Sequence, residues 1–404
     1  MQSEAASSAT NQNTNPACEG ALAGAGKPGA AQRYGFVDLL RGFALVVMVE
    51  THVINAYLPV PSRNTSLFFW LSFVNGLVAP SFLFASGFSV LLQARRKWED
   101  WIRLGPAFWK QVRRLGFILL AAYYLHLPHF GLSRYITAQD QSFWKRALQV
   151  DVLQCIVVSL LAIDAIILLT RKPAIFFWSA LSIGVAGMLV TPLAWSQDFT
   201  GRMPLVLALY MNPHGVSLFP IFPWASFVLA GACASHLFLN SAARGADARY
   251  MRNTFAAGLA LIAVPLFARS MPAFSFWNVG FYRTSPLYVM IRLGCVLILC
   301  ATLYAMERRL GWMPRAIRLA GQESLLVYTL HLLLIFSILR GKAVSSLLGR
   351  EAGYIPCLVI SAAIVVLMIW IAGIWHGVKR DRPRSARQAL AALIGINLIV
   401  FLVQ

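Results

Sequence analysis

The stretch Phe36-Val-Asp-Leu-Leu-Arg-Gly-Phe-Ala-Leu-Val-Val-Met-Val-Glu-Thr-His-Val-Ile-Asn55 is apolar enough to cross a bilayer, yet it carries Asp38, Arg41, Glu50, His52 and Asn55. An Asp or Arg at the centre of a span costs roughly 2.5–3.5 kcal/mol on insertion scales. Such side chains therefore face protein or water, and they mark function. Arg41 and His52 are eleven residues apart, about three helical turns, so they share one face. Asp38 lies three residues before Arg41 and Asn55 three after His52, so both join that stripe. Glu50 falls on the opposite face and needs another partner. Asp38 and His52 stand roughly 21 Å apart along the helix axis.

A stripe that is charged at one end and carries a histidine at the other suits a long substrate with a charged head and a reactive tail. Acyl-coenzyme A has that form. Arg41, a planar cation that is always charged, and Asp38 would stand at its nucleotide end. His52 would act as general base beside the thioester, and Asn55 or a facing donor would stabilise the oxyanion. The plainer account is an interfacial Asp38–Arg41 ion pair and a satisfied buried histidine. His331, Tyr328 three before it and Ser324 seven before it form a second one-sided stripe. It would face the first, with His331 orienting His52 and Tyr328 and Ser324 lining the donor; the alternative is interhelical glue. Asp151 and Gln154 begin an apolar run, where they would orient the acceptor or a histidine, or simply cap a helix. Arg292 and Glu50 lie at similar depth on the acceptor side, and a pair between them would spare two uncompensated buried charges. His126 and His129 have a spacing that permits a shared metal, but no third ligand is evident; interfacial histidines are the simpler reading. Pro80, Pro220 and Pro223 mark expected kinks.

The elements that must hold these residues are membrane helices. The chain has 404 residues, 58% hydrophobic and 12% charged, against roughly a quarter charged in soluble domains. A span needs about 20 apolar residues for a hydrocarbon core of roughly 30 Å. About eleven stretches meet this: 36–58, 66–93, 111–127, 148–170, 174–194, 216–239, 253–268, 285–306, 323–340, 355–376 and 388–403. The expected fold is an all-α polytopic bundle over residues 33–404, integral to the cell (inner) membrane. Residues 1–32, rich in Ala, Gly, Ser, Asn and Thr, read as a disordered cytoplasmic tail without the hydrophobic centre of a signal peptide. With the N-terminus inside, inner loops carry about twice as many Lys and Arg as outer loops, as the positive-inside rule requires. That placement accounts for the net charge of +20 and makes a nucleic-acid partner unnecessary. Cys18, Cys155, Cys233, Cys295, Cys300 and Cys357 are scattered, with no CxxC and no framework of pairs.

The residues also resemble a known family. Arg41, ten intervening residues and His52 match the R-x10-H pattern of the transmembrane acyltransferase superfamily. The string from Val37 to His52 is similar to the opening of bacterial relatives of heparan-α-glucosaminide N-acetyltransferase. Asn75–Gly87, Asp151-Val-Leu-Gln-Cys-Ile156, Phe219-Pro-Ile-Phe-Pro-Trp224 and Gly321–His331 resemble further family segments in the same order. The resemblance implies a buried site that transfers an acyl group, usually acetyl, from cytosolic acyl-coenzyme A (acetyl-CoA) to a sugar or amino sugar on the far side. In the animal lysosomal enzymes an Asn stands where His52 stands here, and the proposed catalytic His follows in the next loop. That loop, 58–66 in this chain, has no His, so the chemistry falls to His52. No metal is expected, and a homodimer is left open. The alternative from another class is a proton-coupled secondary transporter; its inverted repeats are not visible. A carrier that kept the fold and lost the chemistry is a third reading.

Overall fold

The structure is a computed structural model that describes residues 34–213, 216–278, 280–310, 314–336 and 352–403, so the expected tail lies outside them. Every regular element among these residues is helical. Helix α1 (Gly35–Tyr57) carries the whole polar stripe. Its first N–H groups have no partner within the helix, and a distant carboxylate takes them: Gly35 and Phe36 donate to Glu307 at 3.0 and 2.8 Å. At the other end Arg63 donates to the carbonyls of Asn55 and Leu58 at 3.1 and 2.8 Å.

The second apolar stretch is two helices, α2 (Ser66–Asn75) and α3 (Val78–Arg96), which meet at Gly76-Leu77. Pro80 lies in the first turn of α3, where its missing N–H costs no hydrogen bond. A short α4 (Trp98–Ile102) leads to α5 (Pro106–Leu125). Two short helices, α6 (Leu132–Thr137) and α7 (Gln141–Ala147), precede α8 (Val152–Thr170) and α9 (Pro173–Trp195). After α10 (Leu205–Met211) comes α11 (Ile221–Ala242), with Pro220 as its cap and non-helical backbone at Phe222 (φ −89°, ψ 122°). Here too the prolines shape a helix start, because a residue before proline is pushed out of the helical region. Helix α12 (Asp247–Arg269) is longer than the expected 253–268, because its first turns carry Asp247, Arg249 and Arg252 rather than apolar residues. It is followed by α13 (Pro286–Leu310).

The ninth stretch differs most from expectation. The expected 323–340 begins as α15 (Ser324–Phe336), and a further helix, α14 (Arg315–Gln322), precedes it at a bend of 87°. Glu323, buried at the bend, accepts from His376 Nδ1 at 2.9 Å and from Lys379. Both partners come from α16 (Tyr354–Asp381), which precedes the final α17 (Pro383–Val403). Among the described residues eight helices, with α2 and α3 taken together as one, are long and apolar enough to cross a membrane, or nine if the bent α14–α15 pair is one span. Helices α1 and α5 lie outside that count; each carries three charged residues, Asp38, Arg41 and Glu50 in one and Lys110, Arg113 and Arg114 in the other.

Helix α1 packs against α3, α13, α14, α15 and α16. Tight crossings depend on absent side chains. A Cβ on Gly42 would overlap the Ile317 carbonyl, and one on Gly321 the Asp38 carbonyl, so α1 and α14 meet backbone to backbone. Gly87 and Gly231 do the same for α3 and α11, and Gly258 and Gly294 for α12 and α13. Small residues allow this close approach in lipid, where apolar tails leave little hydrophobic force to join helices.

Candidate active site

Four elements converge where α1 nears its C-terminal end. His52 projects from α1, His331 and Tyr328 from α15, Asp151 caps α8 and His126 caps α5. The His52 and His331 rings are 5.3 Å apart between centroids, Tyr328 is 5.8 Å from His331, and Phe336 closes the far side of His52 at 5.6 Å.

The hydrogen bonds fix the state of His331. Its Nδ1 lies 2.7 Å from the Val327 carbonyl. A carbonyl only accepts, so Nδ1 carries a proton, and a second proton on Nε2 would be a buried charge with no acceptor among the described residues, which leaves a lone pair there. That Nε2 is buried, without a hydrogen-bond partner among the described residues, and His331 is 0% exposed. The site thus holds a fully buried imidazole, fixed in one tautomer, with a basic nitrogen beside His52. His52 itself is half-buried.

Asp151 serves α8 and the site together. Its Oδ1 accepts from Val152 N–H at 2.7 Å, and Gln154 Oε1 accepts from Asp151 N–H at 3.2 Å, completing a capping box. Its Oδ2 faces His126 Nε2 at 3.0 Å and accepts from the Tyr328 hydroxyl at 3.2 Å. His126 Nδ1 meets the Ala122 carbonyl at 2.9 Å. With an acceptor at each ring nitrogen, either both carry protons and His126 is an imidazolium, or the shared proton sits on Asp151. Asp151 is also near enough for its charge to act on His52. Asp151 thus caps α8 with one oxygen and meets His126 and Tyr328 with the other, while Gln154 completes the cap.

His126 is the residue that sequence reasoning missed. Its spacing from His129 permitted a shared metal, with interfacial histidines as the simpler reading. Instead the two diverge, and His129 stacks on Phe143 at 6.1 Å. Among the described residues no group of three or more His, Cys, Asp or Glu is placed to hold a metal.

Other expected residues separate from this cluster. Asn55 is exposed one turn beyond His52. Ser324 begins α15, roughly 10 Å along the axis from His331. At the inner end Arg41 Nη1 stands 3.6 Å from Asp38, and Nη2 donates to Ser89 and, at 3.4 Å, to the Ala85 carbonyl. Asp38 and Arg41 do pair, then, and α3 holds the guanidinium with its side chain 17% exposed. The Glu50–Arg292 pair does not form. Asn75 approaches the Glu50 carboxylate, while Arg292 lies against Gly76 and donates to the Tyr288 hydroxyl at 3.1 Å. Similar depth along two helices says nothing of direction around them, and the α2–α3 break lies between the two charges.

A family model described as Heparan-alpha-glucosaminide N-acetyltransferase, catalytic, matches residues 33–272, more than half of the chain. The match takes in α1, the α5 and α8 caps and α11. No curated protein matches the chain.

Proposed function

The chain belongs to the heparan-alpha-glucosaminide N-acetyltransferase catalytic family, and from that premise we propose that it moves an acetyl group from cytosolic acetyl-coenzyme A to an extracytoplasmic sugar or amino sugar. Membership carries acyltransferase-type enzymatic function and acyl-coenzyme A chemistry in general; acetyl as the group, the acceptor class and the direction belong to the proposal. So is a topology of eleven crossings with the N-terminus inside, in which α1 and α5 also cross.

The observation that carries the reading is the buried lone pair on His331 Nε2 beside His52. In this reading Nε2 accepts from one His52 ring N–H, a contact that tightens when substrate is present. The other His52 nitrogen is then the base. It takes the proton of the acceptor amine or hydroxyl as that group attacks the thioester carbonyl. A new bond forms to the carbonyl carbon, the carbon–sulfur bond breaks, and the thiolate leaves with the proton that His52 returns. Asn55 donates to the developing oxyanion at the mouth. At the inner end Arg41, kept on the α3 wall, offers fixed charge to the donor's phosphates. Arg41 and His331 lie at opposite ends of the α1 path, which fits a donor lying along it.

The test is thiol release from acetyl-coenzyme A by the full chain with a panel of amino sugars. His52→Ala and His331→Gln are expected to lose on the order of 100-fold or more, within the range of a general base, while coenzyme A binding persists. Wild-type rates in His52→Ala would end the proposal.

A further inference from the structure

His126 and Asp151 meet at 3.0 Å, yet each is only the cap of its own helix, and residues 127–150 lie between them. Regular backbone ends at a cap, so the place of its side chain depends on what holds the loop beside it. Here both loops are held from one stretch of chain. Between α9 and α11, residues 205–213 and 216–220 form a connection that reaches both caps. From it the Tyr210 hydroxyl meets that of Tyr123 at 3.2 Å. Tyr123 lies one turn before His126 on α5, and its carbonyl accepts the His126 N–H at 3.0 Å. Further along, Ser217 Oγ accepts from Val150 N–H at 3.1 Å, and the Val150 carbonyl accepts from Leu218 and Phe219 N–H at 2.9 and 3.1 Å. Val150 immediately precedes Asp151.

The connection is itself fixed to the end of α9. Asn212, 1% exposed, donates to the Ala194 carbonyl at 3.1 Å and to that of Gln197. Val150, Ser217 and Tyr210 are buried. A buried N–H without an acceptor is costly, so Val150 follows Ser217. Two hydroxyls, seven residues apart in the chain, thus hold the two halves of one acid–base pair. Asp151 in turn accepts from the Tyr328 hydroxyl, and its charge acts on His52.

We propose that Ser217 and Tyr210 are positioning residues for acyl transfer: from the connection between α9 and α11 they set where the Asp151 carboxylate stands relative to His126, Tyr328 and His52. Acyl transfer rests on the proposed function; the spacing of the His126–Asp151 pair does not. Such placement matters to rate, since a shift of about 1 Å in a group that orients the chemistry can cost up to about 100-fold.

Ser217→Ala and Tyr210→Phe in the full chain test this, read by thiol release from acetyl-coenzyme A with the same amino sugars. Each is expected to lower kcat about fivefold. KM for acetyl-coenzyme A should stay unchanged, because positioning acts on the chemical step rather than on donor binding. In an Asp151→Asn background the same substitutions should cost less than about twofold, since the carboxylate they place is already gone. NMR of the imidazole ring nitrogens gives a readout independent of turnover. The His126 signals, identified by their loss in His126→Gln, should move in both variants from the wild-type shifts toward those of Asp151→Asn. Wild-type kcat in both variants overturns the proposal, and so does a loss that persists undiminished in the Asp151→Asn background, which would mark general damage to the fold. Unmoved His126 signals overturn it whatever the rates. Should Ser217→Ala fail to fold, Tyr210→Phe, which removes only a hydroxyl, carries the test. Moved signals in a chain whose wild type releases no thiol would uphold the spacing while failing the acyltransferase reading.

Discussion

Asp151 has two oxygens with different duties, and substitutions can separate them. Asp151→Asn keeps an oxygen for the N-cap and discards the charge that His126 faces. Transfer is expected to fall by on the order of tenfold or more with little change in thermal midpoint. Asp151→Ala loses the cap as well, which costs about 1 kcal/mol, and leaves His126 unpaired, so stability and activity should fall together. A melting curve read beside thiol release distinguishes the two. His126→Gln should follow the pattern of Asp151→Asn. Sequence reading found His52 and Arg41 because both lie on one helix, where a fixed period sets their face. It assigned His331 and Tyr328 a shared stripe for the same reason. His126 escaped because its partnership bridges the caps of two helices, and chain path in loops has no period. The Glu50–Arg292 pair failed for a related reason: depth was legible, azimuth was not.

Among the elements, apolar length located the helices well and their bends poorly. The 87° turn at Glu323 left no trace in hydropathy, because a buried carboxylate held by His376 and Lys379 is a tertiary fact. Glu323→Ala removes two accepted hydrogen bonds at that bend and should cost about 1–3 kcal/mol, read as a lower thermal midpoint in detergent. The glycine crossings are stricter. At Gly231 the Phe84 backbone occupies the place of a Cβ, and backbone cannot swing aside as a side-chain tip can. Gly231→Val is expected to separate α3 from α11 and to yield little folded monomer by size-exclusion chromatography, whereas Gly116→Val, with nothing within 4 Å of its Cβ position, should behave as wild type.

For the molecule as a whole, large apolar side chains such as Leu169 (84% exposed), Trp178 and Trp370 stand outward. Lipid is the solvent that tolerates them, since helices satisfy their own backbone within hydrocarbon. The orientation proposed above rests on Lys and Arg placement and is tested by a reporter fused at the C-terminus: an extracytoplasmic signal is expected, and a cytoplasmic one would reverse the proposed direction of transfer.

The interlock of Gly87 with Gly231 also bears on how the chain is made. About 140 residues separate these helices, and at 5–20 residues per second the second emerges about 7 to 28 s after the first. Throughout that interval the groove on α3 waits in the bilayer for a partner not yet synthesised. Biogenesis therefore has a vulnerable window, in which membrane chaperones or proteases meet α3 with its docking face uncovered, and chains truncated before α11 should be cleared rather than accumulate.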